Sequence, residues 1–275
     1  MVRVEMLAVG RELLIGRTLN TNAQWMGKRL ARKGTLLAEI TTVDDDLREI
    51  SAGLRGCLGR RADFVIVVGG LGPTPDDMTL KGISKGIRRR LRANEEALSM
   101  IREHYVRQNL GRIEMTPARR KMATLPIGAK PVRNDVGTAP GVRLELEGTT
   151  VFCLPGVPSE MKSIFGGFVE PEIVEKLGRL YRKYITLKIE GIYESALAPT
   201  IESELRRRPG AYIKSHPRGI REGKSRIELD VAVVNEDRET ADESAAQIVR
   251  EIKSEIEAAG ATVVSERGTA PSGRK

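Results

Sequence analysis

The sequence predicts an α/β protein of two domains: a three-layer α/β/α domain around a mostly parallel sheet, then a small α+β domain. Three observations lead to this prediction. Short apolar runs at residues 4–9 and 64–68 are typical of strands buried on both faces of a parallel sheet. Amphipathic helical segments separate the strands, as in βαβ units. The pattern restarts near residue 184, and a chain of 275 residues suits two domains better than one.

The first half alternates between strands and helices. Asn20 or Thr21 is placed to cap the first helix, and Gly34 lies where a helix commonly ends. The helix opened by residues 44–46 carries its apolar residues on one face. In chain order, we predict a strand at 4–9, a helix at 22–33, a strand at 36–43, the helix after 44–46, a strand at 64–68 and a helix carrying Leu80, Ile83 and Ile87.

The middle of the chain completes the first domain. Asn94 is expected to cap one helix, and Thr116-Pro117 to start another, because proline favours the first helical position. Two apolar segments, 142–146 and 150–154, flank a hairpin turn at Glu147-Gly148. Ser159 is expected to cap a short helix. A helix at about 171–179 then leads out of the domain.

The second domain is predicted to alternate again. We expect a strand at 185–189, a helix at 196–207, strands at 211–215 and 227–234 joined by a glycine-rich loop, and a helix at 239–259 closed by Gly260. Residues 265–275 are rich in Gly, Ser, Pro and charge, which indicates a frayed tail. The predicted boundaries are therefore 1–178 for the first domain, 183–264 for the second and 265–275 for the tail.

Composition excludes several classes of protein. No apolar stretch is long enough for a membrane helix, and we expect a cytoplasmic protein. Cys57 and Cys153 are too few for a disulfide framework or a cysteine zinc site. Of the two histidines, His104 is expected at the surface and His216, before a proline, in a turn. The net charge of +9 is compatible with an anionic partner, or with a solvated surface of ion pairs.

The most informative segment is the loop at 69–79, directly after an apolar strand. Three glycines free its backbone to bring amide N–H groups close to a phosphate, and the helix that follows adds a positive dipole end. Asp76 and Asp77 would repel a bare phosphate, but either could hold a divalent cation that neutralises it. The alternative is a tight turn in which Asp and Thr cap the helix. The candidate ligand-binding residues of this loop are Gly69, Gly70, Leu71, Gly72, Pro73, Thr74 and Thr79.

Other loops are expected at the same edge of the sheet, where open α/β sheets bind ligands. The loop after the first strand and the acidic residues 44–46 follow strands directly, and two further loops could form the opposite wall. For each loop the alternative is ordinary capping and turn formation. The additional candidates are Gly10, Glu12, Asn20, Asn134, Gly137, Thr138, Ala139, Pro140, Gly141, Pro155 and Gly156.

Five motifs recur in the order of a known family. The segments 10–22, 43–46, 69–79, 134–141 and 154–161 together resemble the N-terminal part of the CinA proteins, which belongs to the wider MoaB/Mog molybdopterin-binding superfamily. The resemblance covers about residues 1–175. Residues 184–260 resemble the small KH-like domain that follows in CinA proteins. The deamidase domain of bacterial CinA proteins has no counterpart in this sequence, so nicotinamide-mononucleotide deamidase activity is not expected.

The resemblance implies a phosphorylated ligand and two functional aspartates. Asp77 matches one of them and Asp45 the other, with Asp44 and Asp46 leaving that register open by one. The implied activity is metal-dependent hydrolysis of a nucleotide pyrophosphate such as ADP-ribose, with Asp77, Asp45 and Asp76 as metal ligands. The alternatives are molybdopterin binding or adenylylation, and a non-catalytic nucleotide-binding protein. The resemblance also implies a homo-oligomer, a dimer or trimer.

Nucleic acid is not an expected partner. KH domains clamp the nucleic-acid backbone through a GXXG loop. The second domain's glycines are never three residues apart. The basic run at 206–208 leaves salt-sensitive binding by charge as the alternative.

Overall fold

A computed structural model describes residues 2–108, 114–178 and 180–268. The chain divides into two compact units after Gly178. In the described part of the chain, no helix combines the length and apolar character needed to cross a membrane.

The first unit is built on a six-stranded sheet in the order β2-β1-β3-β8-β7-β6. The four strands β2, β1, β3 and β8 are parallel, while β7 runs antiparallel to β8 and β6 antiparallel to β7. A separate two-stranded sheet pairs β4 with β5. The strands are β1 (Val4–Val9), β2 (Leu37–Val43), β3 (Phe64–Val68), β4 (Leu91–Ala93), β5 (Thr124–Pro126), β6 (Lys130–Val132), β7 (Gly141–Leu146) and β8 (Thr149–Leu154).

Helices cover both faces of this sheet, which confirms the three-layer architecture. One core contains Leu7, Val65 and Ile50; the other contains Met6, Ile66 and Phe165. Alternate residues of β1 and β3 thus enter opposite cores, as a strand buried on both faces requires. The helices are α1 (Arg11–Leu14), α2 (Thr21–Ala31), α3 (Leu47–Gly59), α4 (Thr79–Gly86), α5 (Glu95–Arg107), α6 (Pro117–Met122), α7 (Pro158–Ile164) and α8 (Glu170–Leu177), with a π-helical turn (Phe165–Val169) between the last two.

Side-chain caps begin several of these helices where the sequence predicts them. Asn20 accepts a hydrogen bond from the amide of Ala23, Asn94 from Ala97, and Thr116 from Arg119. Asp46 caps α3 by accepting from the amides of Arg48 and Glu49. The Ser159 prediction is wrong. Helix α7 begins one residue earlier, at Pro158, and its N-cap Val157 makes no side-chain cap.

The second unit is an α+β domain whose four-stranded antiparallel sheet has the order β10-β11-β9-β12. Its connectivity is β-α-β-β-α-β, the ferredoxin-like order, which refines the KH-like expectation. Leu187, Leu229 and Ile252 contribute to its core. The elements are β9 (Tyr181–Glu190), α9 (Glu194–Arg207), β10 (Ala211–Arg221), β11 (Lys224–Asn235), α10 (Arg238–Ala258) and β12 (Thr262–Gly268).

Two predictions for the second unit are wrong. The glycine-rich loop between residues 215 and 227 is instead a long hairpin, because β10 and β11 continue pairing to Arg221 and Lys224. The predicted tail begins too early: residues 265–268 belong to β12, which pairs with β9. Residues 269–275 of that predicted tail lie outside the described residues.

Both histidine predictions are also wrong. His104 is buried, because it follows Leu98 and Ile101 on the inner face of α5. His216 lies within β10 rather than in a turn, and its ring faces Asp230 across the strand pair at 3.1 Å. β10 is an edge strand, and an edge accommodates the following proline, which lacks an N–H.

Candidate functional site

The predicted ligand-binding loops meet at one edge of the first unit's sheet. β1, β2, β3 and β8 are parallel, so the residues that follow them, Gly10, Asp44, Gly69 and Pro155, emerge at the same end. β7 is antiparallel to β8, so residues 134–140, which precede β7, reach that end as well. This is the edge where open α/β sheets bind ligands.

The glycine loop depends on residues without a Cβ atom. Gly69 and Gly70 have φ angles of 111° and 63°, which L-residues rarely adopt. A Cβ at Gly69 would collide with the carbonyl oxygen of Val9, and one at Gly70 with the hydroxyl of Thr79. The amides of Gly70, Leu71 and Gly72 donate to no other group within the described residues. Three successive amides without an acceptor in the described part of the chain are donors that an anion could use.

Asp77 closes the far side of this loop. Its Oδ2 accepts hydrogen bonds from the amide of Thr74 at 2.8 Å and from the Thr74 hydroxyl at 2.6 Å. Asp77 is therefore not the cap of α4, whose N-cap Met78 makes no side-chain bond. Lys121 donates to the carbonyl oxygens of Gly72, at 3.3 Å, and Thr74. These bonds hold the two loop carbonyls in place. Burial lowers the pKa of Lys121.

Asp45 faces the glycine loop from the end of β2. Its Oδ2 accepts a hydrogen bond of 2.9 Å from the amide of Arg11, while the Arg11 guanidinium pairs with Asp44. Burial raises the pKa of Asp45, and repulsion from Glu12, Asp44 and Asp76 adds to the effect. Asp44 differs, because its bond to Arg11 lowers its pKa. Of the acidic residues that follow β2, Asp45 lines the cavity, whereas Asp44 forms a surface ion pair with Arg11.

The opposite wall is formed by two loops held together by polar contacts. Asn134 Nδ2 donates to the Glu160 carboxylate at 2.6 Å and to the carbonyl of Ala139 at 2.8 Å. Its Oδ1 accepts from the amides of Val136 and Gly137. On the neighbouring loop, Asn22 donates to the carbonyl oxygen of Gly156 at 2.8 Å.

These loops enclose a cavity of about 610 Å³, within the usual range for small-molecule sites. Its charge is one-sided. No Lys, Arg or His is among the described residues that line it, whereas five carboxylates are: Glu12, Asp45, Asp76, Asp77 and Glu160. A phosphorylated ligand in this cavity would meet backbone amides and could share a cation with the carboxylates, while Lys81, Arg120 and Lys121 line an adjoining cavity that shares the glycine loop.

The structure brings most of the predicted site residues into this cavity. Those that line it are Gly10, Glu12, Asn20, Asp45, Gly69, Gly70, Leu71, Gly72, Pro73, Asp76, Asp77, Thr138, Ala139, Pro155 and Gly156. The other predicted residues do not line the cavity. Thr74 and Thr79 bond to the glycine loop, Asn134 and Gly137 pack against Glu160, and Pro140 and Gly141 are buried at the start of β7.

A preformed metal cage is not seen. Across residues 2–108, 114–178 and 180–268, no three His, Cys, Asp or Glu side chains converge on a point as metal ligands. The carboxylates fit a more open arrangement, because Mg²⁺ is commonly held by one or two carboxylates together with substrate phosphates and water. Oδ1 of Asp45 and Oδ1 of Asp77 accept no hydrogen bond from the described residues, so both are available.

Sequence reasoning missed Glu160, which lines the cavity, and Lys121, which supports the glycine loop without lining the cavity. Glu160 and Lys121 had no place among the predicted contacts, although each touches a predicted loop. Glu160 had a detectable signal, because it follows the Pro155–Pro158 turn by two residues on the first turn of a helix. Lys121 had no such signal, because the two residues to which it donates, Thr74 and Gly72, lie 47 and 49 positions away in the sequence.

Comparison with known proteins identifies the family of the first unit. Residues 5–175 match the family model described as the probable molybdopterin binding domain. The match covers more than half of the chain and contains every residue of the cavity. This chain belongs to the molybdopterin-binding-domain family. The predicted MoaB/Mog-like fold of the first domain is thereby confirmed.

Similar proteins match most of the length of this chain. A protein of Metallosphaera sedula is 41% identical over 254 residues, which is 92% of each chain. A protein of Aeropyrum pernix is 39% identical, and the match covers 96% of this chain and 97% of that protein. The crystal structure of CinA from Thermoplasma acidophilum is 42% identical with a TM-score of 0.57; the match covers 62% of this chain and 98% of that one. The CinA-like resemblance is confirmed.

Proposed function

We propose that the cavity binds a phosphorylated pterin of the molybdopterin class, with a divalent cation shared between the ligand phosphate and the wall carboxylates. One observation carries this proposal. Gly70, Leu71 and Gly72, whose amides have no acceptor among the described residues, line the same cavity as five carboxylates, and none of the described residues that line it is basic. Membership in the molybdopterin-binding-domain family supports a pterin as the ligand.

Each part of the site has a defined task in this proposal. The three loop amides hold phosphate oxygens, while Thr79 and Lys121 keep the loop in shape. Asp45 and Asp77 are the residues that would hold the cation, which offsets the phosphate charge. Leu13, Met122 and Val157 add apolar wall area on which a flat ring system can lie.

Equilibrium binding of molybdopterin, compared with ADP-ribose and AMP at the same Mg²⁺ concentration, tests the proposal. We expect molybdopterin to bind at least about tenfold more tightly than either nucleotide, a difference of about 1.4 kcal/mol. Asp46→Asn is the control for Asp77→Asn, because Asp46 caps α3 at the same edge without lining the cavity, and asparagine keeps an oxygen that can accept the capping hydrogen bonds. Equal or tighter binding of both nucleotides would contradict the proposal.

A second candidate is metal-dependent hydrolysis of a nucleotide pyrophosphate such as ADP-ribose. The observation that favours it is the pair of available carboxylate oxygens on Asp45 and Asp77 beside a phosphate loop. A cation held there would activate water and neutralise the leaving phosphate. Release of AMP from ADP-ribose, measured with Mg²⁺ and with a chelator, tests this candidate, and Asp77→Asn should abolish any activity seen. The predicted assembly into a dimer or trimer stays a prediction.

A further inference from the structure

We propose that Glu160 is a ring-recognition subsite. Its carboxylate would accept hydrogen bonds from the adjacent N–H donors of a 2-amino-4-oxopyrimidine edge, which a pterin and a guanine share. The inference rests on the proposed function, since the ring is placed by a phosphate bound at the glycine loop. It goes further by naming the group that selects the ligand's heterocycle.

The orientation of Glu160 is fixed from behind by Asn134. This asparagine is 5% exposed and uses its full hydrogen-bonding capacity. Nδ2 donates to Glu160 Oε2 and to the Ala139 carbonyl, while Oδ1 accepts from two backbone amides. Because every amide atom of Asn134 is engaged, neither the side chain nor its bond to Glu160 has another orientation of similar energy.

The Glu160 carboxylate has no cationic partner in the described part of the chain. Its Oε1 accepts no hydrogen bond there, and Oε2 accepts only the one from Asn134. A half-buried carboxylate without an ion pair needs donors from elsewhere. No basic side chain lines the cavity among these residues, so water or a ligand supplies the remaining donors, and a ligand with suitably placed N–H groups can replace that water.

The surroundings favour a flat neutral ring over a mobile amine. Gly137 packs directly against the carboxylate, and a Cβ there would collide with it. Ala139, Val157 and Pro158 line the cavity beside Glu160 and provide apolar surface. A planar heterocycle can lie on such a surface while its edge meets the carboxylate. An ammonium group would leave that apolar surface without contact.

Hydrogen bonds to a charged acceptor are strong, and this predicts selectivity between rings. The 2-amino-4-oxopyrimidine edge offers two neighbouring donors to the carboxylate. The corresponding edge of adenine offers one donor and one acceptor, and the acceptor would face the negative charge. Glu160 would therefore favour pterin and guanine over adenine, which separates a molybdopterin-type ligand from ADP-ribose.

The test compares ligands that differ only in the 2-amino group. One pair is a pterin carrying a side-chain phosphate and its 2-oxo (lumazine) analogue; the other is GMP and IMP. For the parent protein we expect each 2-amino ligand to bind about tenfold more tightly, as for loss of a hydrogen bond to a charged group. In Glu160→Gln the ratio should fall to about two or below. Glu96→Gln is the matched control, because Glu96 also lies in the first turn of a helix but is exposed and outside the cavity.

The outcomes separate a recognition role from a structural one. A merely structural Glu160 would weaken both members of a pair equally in Glu160→Gln and leave the ratio unchanged, which would overturn the inference. An equal affinity of the parent protein for the two members of each pair would also overturn it, while phosphate-dependent binding of both would leave the proposed function standing. Loss of all pterin binding in the parent protein would instead contradict the proposed function. Tighter binding of the pterin pair than of the GMP pair would identify the ring that Glu160 recognises as a pterin. Tighter binding of the GMP pair would identify that ring as guanine.

Discussion

The hydroxyl group of Thr79 donates a buried hydrogen bond of 2.7 Å to the carbonyl oxygen of Gly69, ten residues earlier. The amide of Thr79 also donates to the carbonyl of Gly70, at 3.2 Å. These two bonds connect the first residue of α4 to the two residues that directly follow β3. They hold Gly69 and Gly70 in their positive-φ conformations, and so fix the position of the free amides that follow.

Replacing Thr79 tests this anchor directly. Thr79→Val keeps the shape of the side chain but leaves the Gly69 carbonyl unpaired in a buried position. We expect a loss of about 1–3 kcal/mol in the free energy of unfolding, together with weaker ligand binding. Thr79→Ser retains the hydroxyl group and should lose much less. Denaturant unfolding followed by circular dichroism measures both, and equal stability of the two variants would contradict the anchoring role.

Lys121 is expected to support the same loop from its other side. Lys121→Met keeps the length of the side chain but removes the hydrogen bonds to the carbonyls of Gly72 and Thr74. Ligand affinity should fall about tenfold, as expected when hydrogen bonds from a charged group are lost. Lys85→Met is the control, because Lys85 is exposed on α4 and lies outside the cavity. Isothermal titration with a pterin phosphate would show the difference; unchanged affinity in Lys121→Met would remove Lys121 from the account.

Gly137 provides an independent test of the wall at Glu160. Gly137→Ala would bring a methyl group against the Glu160 carboxylate and displace it. Gly137 does not have a positive φ angle, so alanine adds no backbone strain there. We expect the preference for 2-amino over 2-oxo ligands to fall as in Glu160→Gln, with the overall fold retained. Gly59→Ala at the end of α3 is the control, since its added methyl group meets no atom within 4 Å. A preserved preference in Gly137→Ala would show that the position of Glu160 does not matter.

The second domain has a pH-dependent helix cap at Asp237. The hydroxyl and amide of Thr240 donate to its carboxylate and lower its pKa below the ordinary value of 3.8. A lowered pKa in the folded state means that the carboxylate stabilises the fold above pH 3.8, and that this stabilisation is lost as the pH falls through the folded-state pKa. Asp237→Asn should therefore cost stability at pH 6 and progressively less as the pH falls below 3.8. A difference that stays constant between pH 6 and pH 3 would contradict this assignment.

The sequence predicts the framework of the first domain well, because buried parallel strands and amphipathic helices leave strong local patterns. β1 and β3 have the predicted bounds, and Asn94, Asp46 and Thr116 cap the helices expected of them. The missed strands are short or at an edge. β6 has three residues, and β12 is polar and exists through pairing with the distant β9. Such pairing energy is not encoded in local periodicity.

The candidate site is predictable where a loop follows a strand, and less so where two loops meet. The glycine loop and Asp45 follow strands directly, so their shared edge could be inferred. Glu160 lies 26 residues from Asn134 in the sequence, so their hydrogen bond leaves no local pattern. The lack of a cationic partner for Glu160 is likewise visible only when the described residues that line the cavity are known. His104 shows the converse case. Its spacing from Leu98 and Ile101 predicts the buried face of α5, but its polar side chain suggested the surface.

Replacing Asp77 separates the metal-binding role from the structural one. Asp77→Asn keeps an oxygen that can accept from Thr74, so the glycine loop and the melting temperature should be preserved. Removal of the charge should lower Mg²⁺-dependent ligand affinity, or any turnover, by roughly 10²-fold, as for loss of one strong electrostatic contact. Binding measured in a chelator should change little. A folded Asp77→Asn variant with the parent's Mg²⁺-dependent affinity would leave Asp77 as a turn-closing residue alone.

The most direct test of the central claim is the affinity of the parent protein for molybdopterin, measured by equilibrium dialysis with saturating Mg²⁺ and again with a chelator. The five carboxylates and the lack of a basic lining residue in the described chain predict that the cation is needed. We expect binding with Mg²⁺ and at least about tenfold weaker binding without it, which corresponds to about 1.4 kcal/mol. Equal affinity under both conditions, or no binding of molybdopterin with Mg²⁺ present, would contradict the account.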